Sequence, residues 1–508
     1  MMDGKHQSMP VVREPARDTE VAGEYDVIVC GGGTAGVPAA IAAARNGART
    51  ALFERHGFAG GVAAYSIMPC WHGMSGHHTG LLSEFGRRVA AFGQGPDPFT
   101  SGGHMEPETV KIVALNMLEE AGVHLHLHTW VVGVLKDGDR VTGIVTESKS
   151  GRRAFVCKAM VDTTGDGDAA ALAGAQYNKG DGGKMQGMSL RFRIGHIDLE
   201  RLFAFGEQNP AYFPQSQHDH DFFASRRRLA SAGAAFFLPT RLDGILAAHR
   251  DEFPDIPEHT YFNTSCMRPG ELSVNCTRVY GLDGTRAEDL SRAEVVTRKQ
   301  AYAIWRCLRK YVPGFDHSCI VDVAAAVGVR ETREVIGDYT LTEDDCRRNA
   351  EFPNSVMTTR IAFDAHDVDK YILECISGVC DMPYGCFLPL GVDGLLVGGR
   401  CASTDHIANA TFRKQESVHQ SGQVCGTAAA MAAERGIVPR QLPAADLKQR
   451  LRSQDFLTSQ ADRYAVAEKV VDRTRAERAA GVNRVTHNES RARTANKPPA
   501  VSPARGSA

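Results

Sequence analysis

The 508-residue chain lacks any apolar run long enough to cross a membrane, and its first 24 residues lack the apolar core of a secretory signal. It also lacks an excess of one charge. The formal net charge is −2, so neither nucleic acid nor an anionic membrane surface is indicated as a partner. We therefore expect a cytoplasmic protein with no nucleic-acid partner and no membrane insertion.

The 13 cysteines lack the order of a secreted disulfide scaffold. Their number is odd, and they are scattered irregularly over a long chain. Disulfide scaffolds are shorter and more regularly spaced. Reduced thiols are the favoured interpretation.

What the chain does contain is a glycine motif, Gly31-x-Gly33-x-x-Gly36, between the apolar run "YDVIVC" and an alanine-rich helical segment. Gly31 permits a tight turn, Gly33 lets the backbone approach a pyrophosphate, and Gly36 lets helix and strand pack closely. A second predicted strand, "RTALFE", ends on Glu54, where an acidic side chain can hold ribose hydroxyls. Strand, helix, second strand and acid together predict a dinucleotide site.

Two segments far downstream favour FAD over NAD. In "MVDTTGDGDAAALAGA" an apolar strand enters a turn at Gly165, and a small-residue helix follows. Farther on, "GLLVGGR" reads as a strand ending in glycines, and we expect a helix to begin between Gly422 and Gly426. A plain NAD domain needs neither segment, whereas FAD has ribityl and isoalloxazine parts that must also be held.

With these segments the chain resembles the FAD-dependent oxidoreductases of glutathione-reductase-like fold, in the group similar to the flavin part of heterodisulfide reductase. The resemblance rests on "VIVCGGGTAGVPAAIAAARNG", "FERHGFAGG", "VDTTGDGDAAALAGA", "VGVRETREVIGDYTLTEDD" and "MPYGCFLPLGVDGLLVGGRCASTDH". These segments keep their order over roughly residues 24–440.

The resemblance implies a set of FAD-binding residues. They are Gly31, Gly33 and Gly36 for the pyrophosphate, Glu54 for the adenosine ribose, Gly60 and Gly61 for pyrophosphate and flavin, Gly165 and Asp166 for the adenosine side, Gly399 and Arg400 near the ribityl chain, and Gly422 and Gly426 at a helix start. Arg400 departs from the Gly-Asp that related flavoproteins often carry. The helix from Gly422 would direct its positive end at the flavin O2.

The resemblance also implies substrate-facing residues. His406 and Arg413 keep the spacing that the family shows after its Gly-Arg-Cys stretch. His406 would act as a general base, because histidine titrates near neutral pH, and Arg413 would hold a carboxylate or polarise a carbonyl. The alternative is a structural histidine and a surface salt bridge. Arg330, near the flavin–substrate border, would bind substrate or else join an internal Arg–Glu network.

Cysteines and histidines offer three further alternatives. Cys375 and Cys380 have the C-x4-C spacing of a redox disulfide, but they lie far downstream of the glycine motif, and no second such motif is present for NADPH. The candidate ligands of a 4Fe-4S cluster, which the relatives of heterodisulfide reductase carry, are Cys375, Cys380, Cys386 and Cys401, although the tight C-x2-C-x2-C run is absent. The third alternative is a metal site in a loop, with Cys70, His72, His77 and His78 as ligands, although their spacing matches no standard zinc signature.

The predicted fold class is α/β, with a Rossmann-like FAD domain that contains a parallel sheet and a β-meander, interrupted by a mixed α+β substrate domain. The middle region carries a long helical pattern near residues 287–311. The predicted divisions are a disordered leader (1–23), the first part of the FAD domain (24–179), an inserted substrate or cap domain (180–384), the last part of the FAD domain (385–440), and a C-terminal helix with a disordered tail (441–508).

The predicted function is a dehydrogenase that transfers a hydride between a small molecule and the flavin N5 atom. A flavin monooxygenase or halogenase is one alternative, although the three tryptophans form no W-x-W motif. A flavin electron-transfer subunit, with an iron–sulfur cluster or without one, is another. The substrate, the electron acceptor and the oligomeric state stay open.

Overall fold

A computed structural model of the chain describes residues 12–68, 70–71, 79–93, 95–99, 101–259, 262–368 and 371–465. The strands in this part are β1 (Val21–Cys30), β2 (Thr50–Phe53), β3 (His124–His126), β4 (Trp130–Asp137), β5 (Arg140–Ser148), β6 (Gly151–Asp162), β7 (Tyr177–Lys179), β8 (Phe192–Gly195), β9 (Phe236–Phe237), β10 (Asn263–Arg268), β11 (Glu271–Asn275), β12 (Cys319–Val323), β13 (Arg333–Val335), β14 (Ser355–His366), β15 (Tyr371–Pro383) and β16 (Leu395–Val397).

The helices in the same part are α1 (Gly36–Arg45), α2 (Val62–Tyr65), α3 (Gly80–Phe92), α4 (Pro107–Glu120), α5 (Asp168–Leu172), α6 (Leu199–Gln208), α7 (Phe222–Ser231), α8 (Asp243–Ala248), α9 (Ala287–Tyr311), α10 (Glu343–Arg347), α11 (His406–Phe412), α12 (Gln415–Arg435) and α13 (Ala444–Ser453).

The largest sheet is built on β1. This strand lies between β2 and β6 and is parallel to both, and β3 continues the parallel order beyond β2. Val27 to Cys30 are fully buried, because helices cover both faces of a parallel sheet. The unbroken apolar run "VIVC" follows from this burial.

Strand β6 has different partners along its length. Its first half pairs with β5 in an antiparallel meander that also contains β4. Its last residues pair with β16 in parallel, with Leu395 opposite Met160. The predicted parallel sheet with a β-meander is therefore confirmed, and β16 is the returning strand.

Two details of this sheet differ from the sequence-based prediction. Strand β1 begins at Val21, inside the segment predicted as a leader, and Ala154 donates its backbone N–H to the carbonyl oxygen of Glu20. The predicted strand "HLHLHTW" is divided, because β3 ends at His126 and His128 has a φ of +51°. That left-handed backbone interrupts an extended strand.

The middle of the chain forms a second sheet, in the order β12-β8-β11-β10-β9. Helix α9 packs on this sheet and matches the helical pattern predicted near residues 287–311. A separate hydrophobic core draws its fully buried residues from Phe192 to Phe315. The α/β class with an additional α+β region is thus confirmed, whereas the exact domain bounds stay a prediction.

The long hairpin of β14 and β15 belongs to a different core. Its buried residues, among them Val356 and Phe363, share one hydrophobic cluster with α1 and α12. The hairpin contacts α11 and α12, so it reaches the sheet that carries the glycine motif. Among the described residues, no helix combines the length and the apolar composition that a membrane crossing requires.

Candidate functional site

A cavity of about 440 Å³ lies where the parallel strands β1, β6 and β16 end. Open α/β sheets bind ligands at the carboxyl ends of their strands. The predicted site residues that line this cavity are Gly31, Gly33, Glu54, Gly61, Gly165, Asp166, Arg330, Gly399, Arg400 and Arg413. The structure therefore brings together segments that are up to several hundred residues apart.

The glycine loop forms a backbone cradle on one wall. Gly31 has a φ of +96°, and a Cβ atom there would lie 2.7 Å from the carbonyl oxygen of Thr163. Gly61 has a φ of +62°, and its Cβ would lie 2.6 Å from the backbone nitrogen of Thr34. Gly33 faces the cavity between them. Side chains at these positions would therefore fill or displace the cradle.

Gly36 and Gly60 stand behind this wall. A Cβ at Gly36 would lie 1.7 Å from the Gly31 carbonyl oxygen, which agrees with the close packing of strand and helix predicted from the motif. A Cβ at Gly60 would lie 2.9 Å from Cγ1 of Val110 on α4. Neither residue lines the cavity, so both shape the cradle from outside.

Glu54 follows β2 and presents a buried carboxylate to the cavity. It accepts hydrogen bonds from the backbone N–H groups of Gly32 (2.6 Å) and His56 (2.8 Å). Burial raises the pKa of Glu54, and the two hydrogen bonds oppose that shift. The side chain is thus held rigidly beside the glycine loop.

Arg400 is neutralised by a residue from a distant segment. Its Nη2 lies 2.5 Å from Oδ1 of Asp166, and its Nη1 donates to Oγ1 of Thr332 (3.1 Å). The Thr332 hydroxyl in turn donates to Asp166 (2.8 Å). Related flavoproteins often have an aspartate at the position of Arg400. In this chain the positive charge of Arg400 is balanced by the carboxylate of Asp166.

The predicted helix start at Gly422 and Gly426 is wrong. Both glycines lie inside α12, and neither lines the cavity. A Cβ at Gly422 would lie 2.0 Å from the Ala35 carbonyl oxygen, and one at Gly426 would lie 2.0 Å from that of Ala39. Because these residues have no side chain, the backbones of α12 and α1 can come into direct contact.

The helix start that does face the cavity lies seven residues earlier, at Gln415. Nε2 of Gln415 donates to the carbonyl oxygens of Met68 (3.2 Å) and Cys70 (3.1 Å). Glu416 lines the cavity as well. The positive end of this long helix therefore borders the cavity, but the helix begins at a different residue from the one predicted.

His406 is not placed as a substrate-facing base. Its Nδ1 lies 2.6 Å from Glu331 Oε1, its Nε2 lies 3.0 Å from Asp367 Oδ1, and it does not line the cavity. Burial lowers the pKa of His406, but the hydrogen bonds to Asp367 and Glu331 outweigh burial and raise it to about 10. A histidine that is protonated at neutral pH, with both nitrogens bonded, cannot accept a proton.

We expect His406 to stabilise the fold in a pH-dependent way. Its folded pKa of about 10 exceeds the ordinary value of 6.5, so its contribution is complete below pH 6.5 and is lost as the pH rises through 10. Each pKa unit corresponds to about 1.4 kcal/mol. In urea titrations, the stability advantage of wild type over His406→Gln should therefore shrink steadily from pH 6.5 to 10.

The matched control is His249→Gln. This change also removes a histidine whose ring makes a close contact, in this case a stack on Tyr311 with 3.5 Å between ring centroids. That variant should show no comparable loss of its difference from wild type over the same pH range. A His406 advantage that stays constant or grows with pH would show that the histidine is neutral in the folded protein.

Arg330 and Arg413 do line the cavity. Arg330 Nη1 donates to the Gly187 carbonyl oxygen (2.6 Å), and Arg413 Nη2 donates to that of Asp364. Burial lowers the pKa of Arg413, and burial together with the cations Arg278 and Arg413 lowers that of Arg330 well below its usual range. The Arg–Glu pair weighed for Arg330 does not form, because Glu331 pairs with His406 instead.

The sequence prediction missed a histidine–carboxylate pair on the same wall. His366, at the end of β14, lies 3.0 Å through Nε2 from Oδ1 of Asp364, and both residues line the cavity. Burial and the nearby Arg330 and Arg278 lower the pKa of His366 well below 6.5. The strand pattern of "RIAFDAH" gave no signal for this site, because alternate polar residues are typical of a solvent-facing strand.

Three further charged residues on the wall were also missed, namely Arg191, Lys414 and Glu416. Burial lowers the pKa of Arg191 to about 10 and raises that of Glu416 to about 7. A signal existed for Lys414 and Glu416, since "KQESVHQS" is more polar than the family usually has after Arg413. Arg191 alternates with apolar residues before β8 and reads as an exposed strand position.

The structure does not assemble the proposed cysteine sites. Cys375 is exposed and Cys380 is buried, both on β15. Their partners on β14, Ala362 and Thr359, are three residues apart, so the Cα atoms of the two cysteines are separated by about 10 Å, beyond disulfide reach. Cys386 and Cys401 belong to different hydrophobic clusters. No group of three or more metal-ligating side chains occurs in the described part of the chain. The redox-disulfide and cluster hypotheses are therefore wrong for these four cysteines, and the thiol that Cys380 hydrogen-bonds is that of Cys346.

The loop histidines His72, His77 and His78 lie outside the described residues, as does the predicted tail beyond residue 465. Cys70, the fourth member of that loop set, is described. It lines the cavity, and burial raises the pKa of its thiol.

The family model described as FAD dependent oxidoreductase matches residues 26–451. No curated protein sequence matches the chain. The matched range contains every strand from β2 to β16, the second half of β1, and all residues that line the cavity.

Several solved structures resemble the chain at low identity. A geranylgeranyl bacteriochlorophyll reductase-like protein from Thermoplasma acidophilum is 13% identical, with 89% of this chain and 88% of that chain covered and a TM-score of 0.43. A flavoprotein/dehydrogenase from Cytophaga hutchinsonii is 13% identical over 82% and 79%, with a TM-score of 0.42. The p-nitrophenol 4-monooxygenase of Pseudomonas putida DLL-E4 is 12% identical over 87% and 88%, with a TM-score of 0.41. Scores at this level do not bear on the reaction.

Proposed function

Because the chain belongs to the FAD-dependent oxidoreductase family, we propose that it is a dehydrogenase that transfers a hydride between a small molecule and the flavin N5 atom. It is an enzyme of this class, and FAD is its cofactor. The closer relationship to the flavin part of heterodisulfide reductase stays a prediction. The observation that carries the proposal is the His366–Asp364 pair on the wall of the cavity that the glycine loop also lines.

The residues present fit FAD. The Thr34 hydroxyl is buried beside the glycine loop and has no hydrogen-bond partner among the described residues, so it can donate to a phosphate oxygen. The backbone of Gly31 and Gly33 leaves room for a pyrophosphate where a side chain would intrude. Glu54 supplies a carboxylate at the end of β2 for ribose hydroxyls.

When bound, FAD supplies the redox chemistry by accepting or donating a hydride. The chain has to hold the substrate and receive its proton. Gln415 and the start of α12 offer a positive helix end to negative charge within the cavity. Tyr65 and Met68 provide apolar surface to exclude water from the same space.

We assign the proton transfer to His366 and withdraw it from His406. Oxidation of a C–H bond next to oxygen or nitrogen removes a hydride from carbon and a proton from the O–H or N–H group. His366 is neutral, because its pKa is lowered by burial and by Arg330 and Arg278. Asp364 binds Nε2–H, which leaves Nδ1 as the basic nitrogen of that tautomer. A neutral imidazole oriented by a carboxylate is suited to accept this proton.

The proposal predicts direct reduction of the flavin by substrate. The holoprotein is mixed anaerobically with 2-hydroxy acids, amino acids and primary alcohols, and the visible flavin absorbance is followed. We expect one class to bleach the flavin, and deuterium on the oxidised carbon to slow that step. His366→Gln should lower the rate by about two orders of magnitude and keep its FAD. His406→Gln should stay within about threefold of wild type, since removing a group outside the site leaves the transition state unchanged.

Other outcomes would replace the proposal. A flavin that only a reduced nicotinamide reduces, followed by transfer of an oxygen atom from O2 to a product, would indicate a monooxygenase. A flavin that only a protein partner reduces or reoxidises would indicate an electron-transfer subunit. Equal rates for His366→Gln and wild type would remove His366 from the chemistry.

A further inference from the structure

The cavity wall beyond the glycine loop carries a concentration of positive charge. Four cationic side chains line this part, and we call them the cation group: Arg191, Arg330, Arg413 and Lys414. They are shielded from solvent, with Arg191 4% exposed and the Arg413 side chain 14% exposed. Burial lowers the pKa of each of them.

The guanidinium groups are held mainly by neutral oxygens. Arg191 Nη1 donates to the Ser273 hydroxyl (3.0 Å), Arg330 Nη1 donates to the Gly187 carbonyl, and Arg413 Nη2 donates to the Asp364 carbonyl. The Nε atoms of Arg191 and Arg413 are buried and have no hydrogen-bond partner among the described residues. Unsatisfied charged donors are costly, so these groups are prepared for an acceptor.

Among the residues that line the cavity, two carboxylates face the cation group. Glu331 interacts with Arg413 from outside the cavity, but its charge is paired with His406. Asp364 lies 3.7 Å from Arg413 Nη2, and it also bonds His366 (3.0 Å) and the Tyr371 hydroxyl (3.2 Å). Burial raises the pKa of Glu416 to about 7, so near neutral pH it contributes about half a charge. The positive charge at this end therefore exceeds the negative charge by at least two.

Behind the wall, Arg278 adds to the same excess. It is 3% exposed, and its Nη1 and Nη2 atoms have no hydrogen-bond partner in the described part of the chain. It interacts electrostatically with Arg330 and with Asp364. Its charge reinforces the field that the cation group directs into the cavity.

The other carboxylates and arginines of the cavity are balanced. Arg400 pairs with Asp166, and Glu294 pairs with Arg298. Beside Glu54, Arg55 lies over the Trp130 ring, 5.4 Å from its centroid. The excess is therefore confined to the region around β14 and the start of α12, away from the glycine loop.

We propose that the substrate of this site is a small dianion, held by the cation group through carboxylate or phosphate oxygens; this inference rests on the proposed function. Two further negative charges offset most of this excess, whereas a neutral alcohol or amine would leave buried guanidinium groups uncompensated. A single negative charge on a reduced flavin would offset only part of the excess. Arginine forks match the geometry of both carboxylate and phosphate oxygens.

The test measures binding without any reaction. The oxidised holoprotein is titrated at constant ionic strength with malonate, acetate, inorganic phosphate or malonamide, and the change in the flavin absorption spectrum gives a Kd. We expect a saturable change with malonate at an affinity at least about tenfold higher than with acetate, and none with malonamide. The comparison of malonate with phosphate identifies which of the two oxyanions the site prefers.

Variants connect this binding to the cation group. Arg413→Gln and Arg330→Gln should each weaken malonate binding at least about tenfold while keeping FAD. Arg413→Lys, which keeps the charge but loses the fork, should fall between wild type and Arg413→Gln, so the test survives if one variant folds poorly. Arg309→Gln is the matched control, because Arg309 is exposed on α9 and donates to the carbonyl oxygen of Asp316, away from the cavity.

Three results would overturn the inference. One is the absence of a saturable response to both malonate and phosphate, and another is equal binding of malonamide. The third is an Arg413→Gln protein with unchanged malonate affinity but a lower flavin reduction potential, which would show that the cations serve the flavin itself. Anion binding without reduction by any substrate class would refute only the dehydrogenase proposal, and reduction by an uncharged alcohol without anion binding would refute only the dianion.

Discussion

Gly31→Ala is expected to yield a folded protein that cannot retain FAD. The Gly31 backbone has a φ of +96°, a conformation that alanine rarely adopts, and the new methyl group would lie 2.7 Å from the carbonyl oxygen of Thr163. The backbone at the ends of the adjacent strands β1 and β6 fixes the positions of this methyl group and of the oxygen, so the loop has to move. Moving it displaces the cradle that approaches the pyrophosphate.

The measurement is the ratio of flavin to protein absorbance after purification and after incubation with excess FAD, with circular dichroism as the test of folding. Gly47→Ala is the matched control, since Gly47 has a φ of +88° and no atom lies within 4 Å of its Cβ position. It carries a similar backbone strain without the collision. Full FAD occupancy in Gly31→Ala would show that the loop is not the pyrophosphate site.

Gly426→Ala is expected to destabilise the whole fold. The methyl group would lie 2.0 Å from the carbonyl oxygen of Ala39, on a helix that is buried from Gln415 to Ala433. Neither helix can yield by rotating a side chain, because the collision involves the backbone of α1. We expect a loss of at least about 3 kcal/mol in the free energy of unfolding.

Urea denaturation of the apoprotein measures this loss without a contribution from bound FAD. Gly436→Ala on the same helix is the control, because Gly436 caps α12 with a φ of +67° and open space around its Cβ position. That change should cost about 1 kcal/mol from backbone strain. Equal losses in the two variants would contradict the close contact between α1 and α12.

Local patterns in the sequence predict a large part of the fold. The strand, turn and helix around Gly31 follow from an apolar run, a glycine motif and a helical segment that are adjacent in the chain. The long helix α9 likewise follows from its own periodicity. The start of α12 could not be predicted in this way. Glycine usually marks the end of a regular element. Gly422 and Gly426 are instead required inside a helix by the contact with the backbone of α1, almost four hundred residues away.

The candidate site shows the same limit. The family resemblance placed Arg330 and Arg413 near the flavin and substrate, and both residues line the cavity. It could not distinguish His406 from His366, because the difference lies in which carboxylates each ring contacts. His406 meets Glu331 and Asp367, while the β14–β15 hairpin carries His366 and Asp364 to the cavity. Such pairings are set by tertiary packing, which no local pattern records.

The position of β16 beside β6 sets the order of events during synthesis. Strand β6 ends at Asp162 and β16 begins at Leu395, which is 395 − 162 = 233 residues later. At about 5–20 residues per second, a ribosome needs roughly 10 to 50 seconds to travel between them. Until then the nascent sheet lacks its returning strand, and α1 lacks the helix that covers it. Gly399, Arg400 and Gln415 follow β16 and line the cavity, so the cavity is complete only at the end of translation or after it.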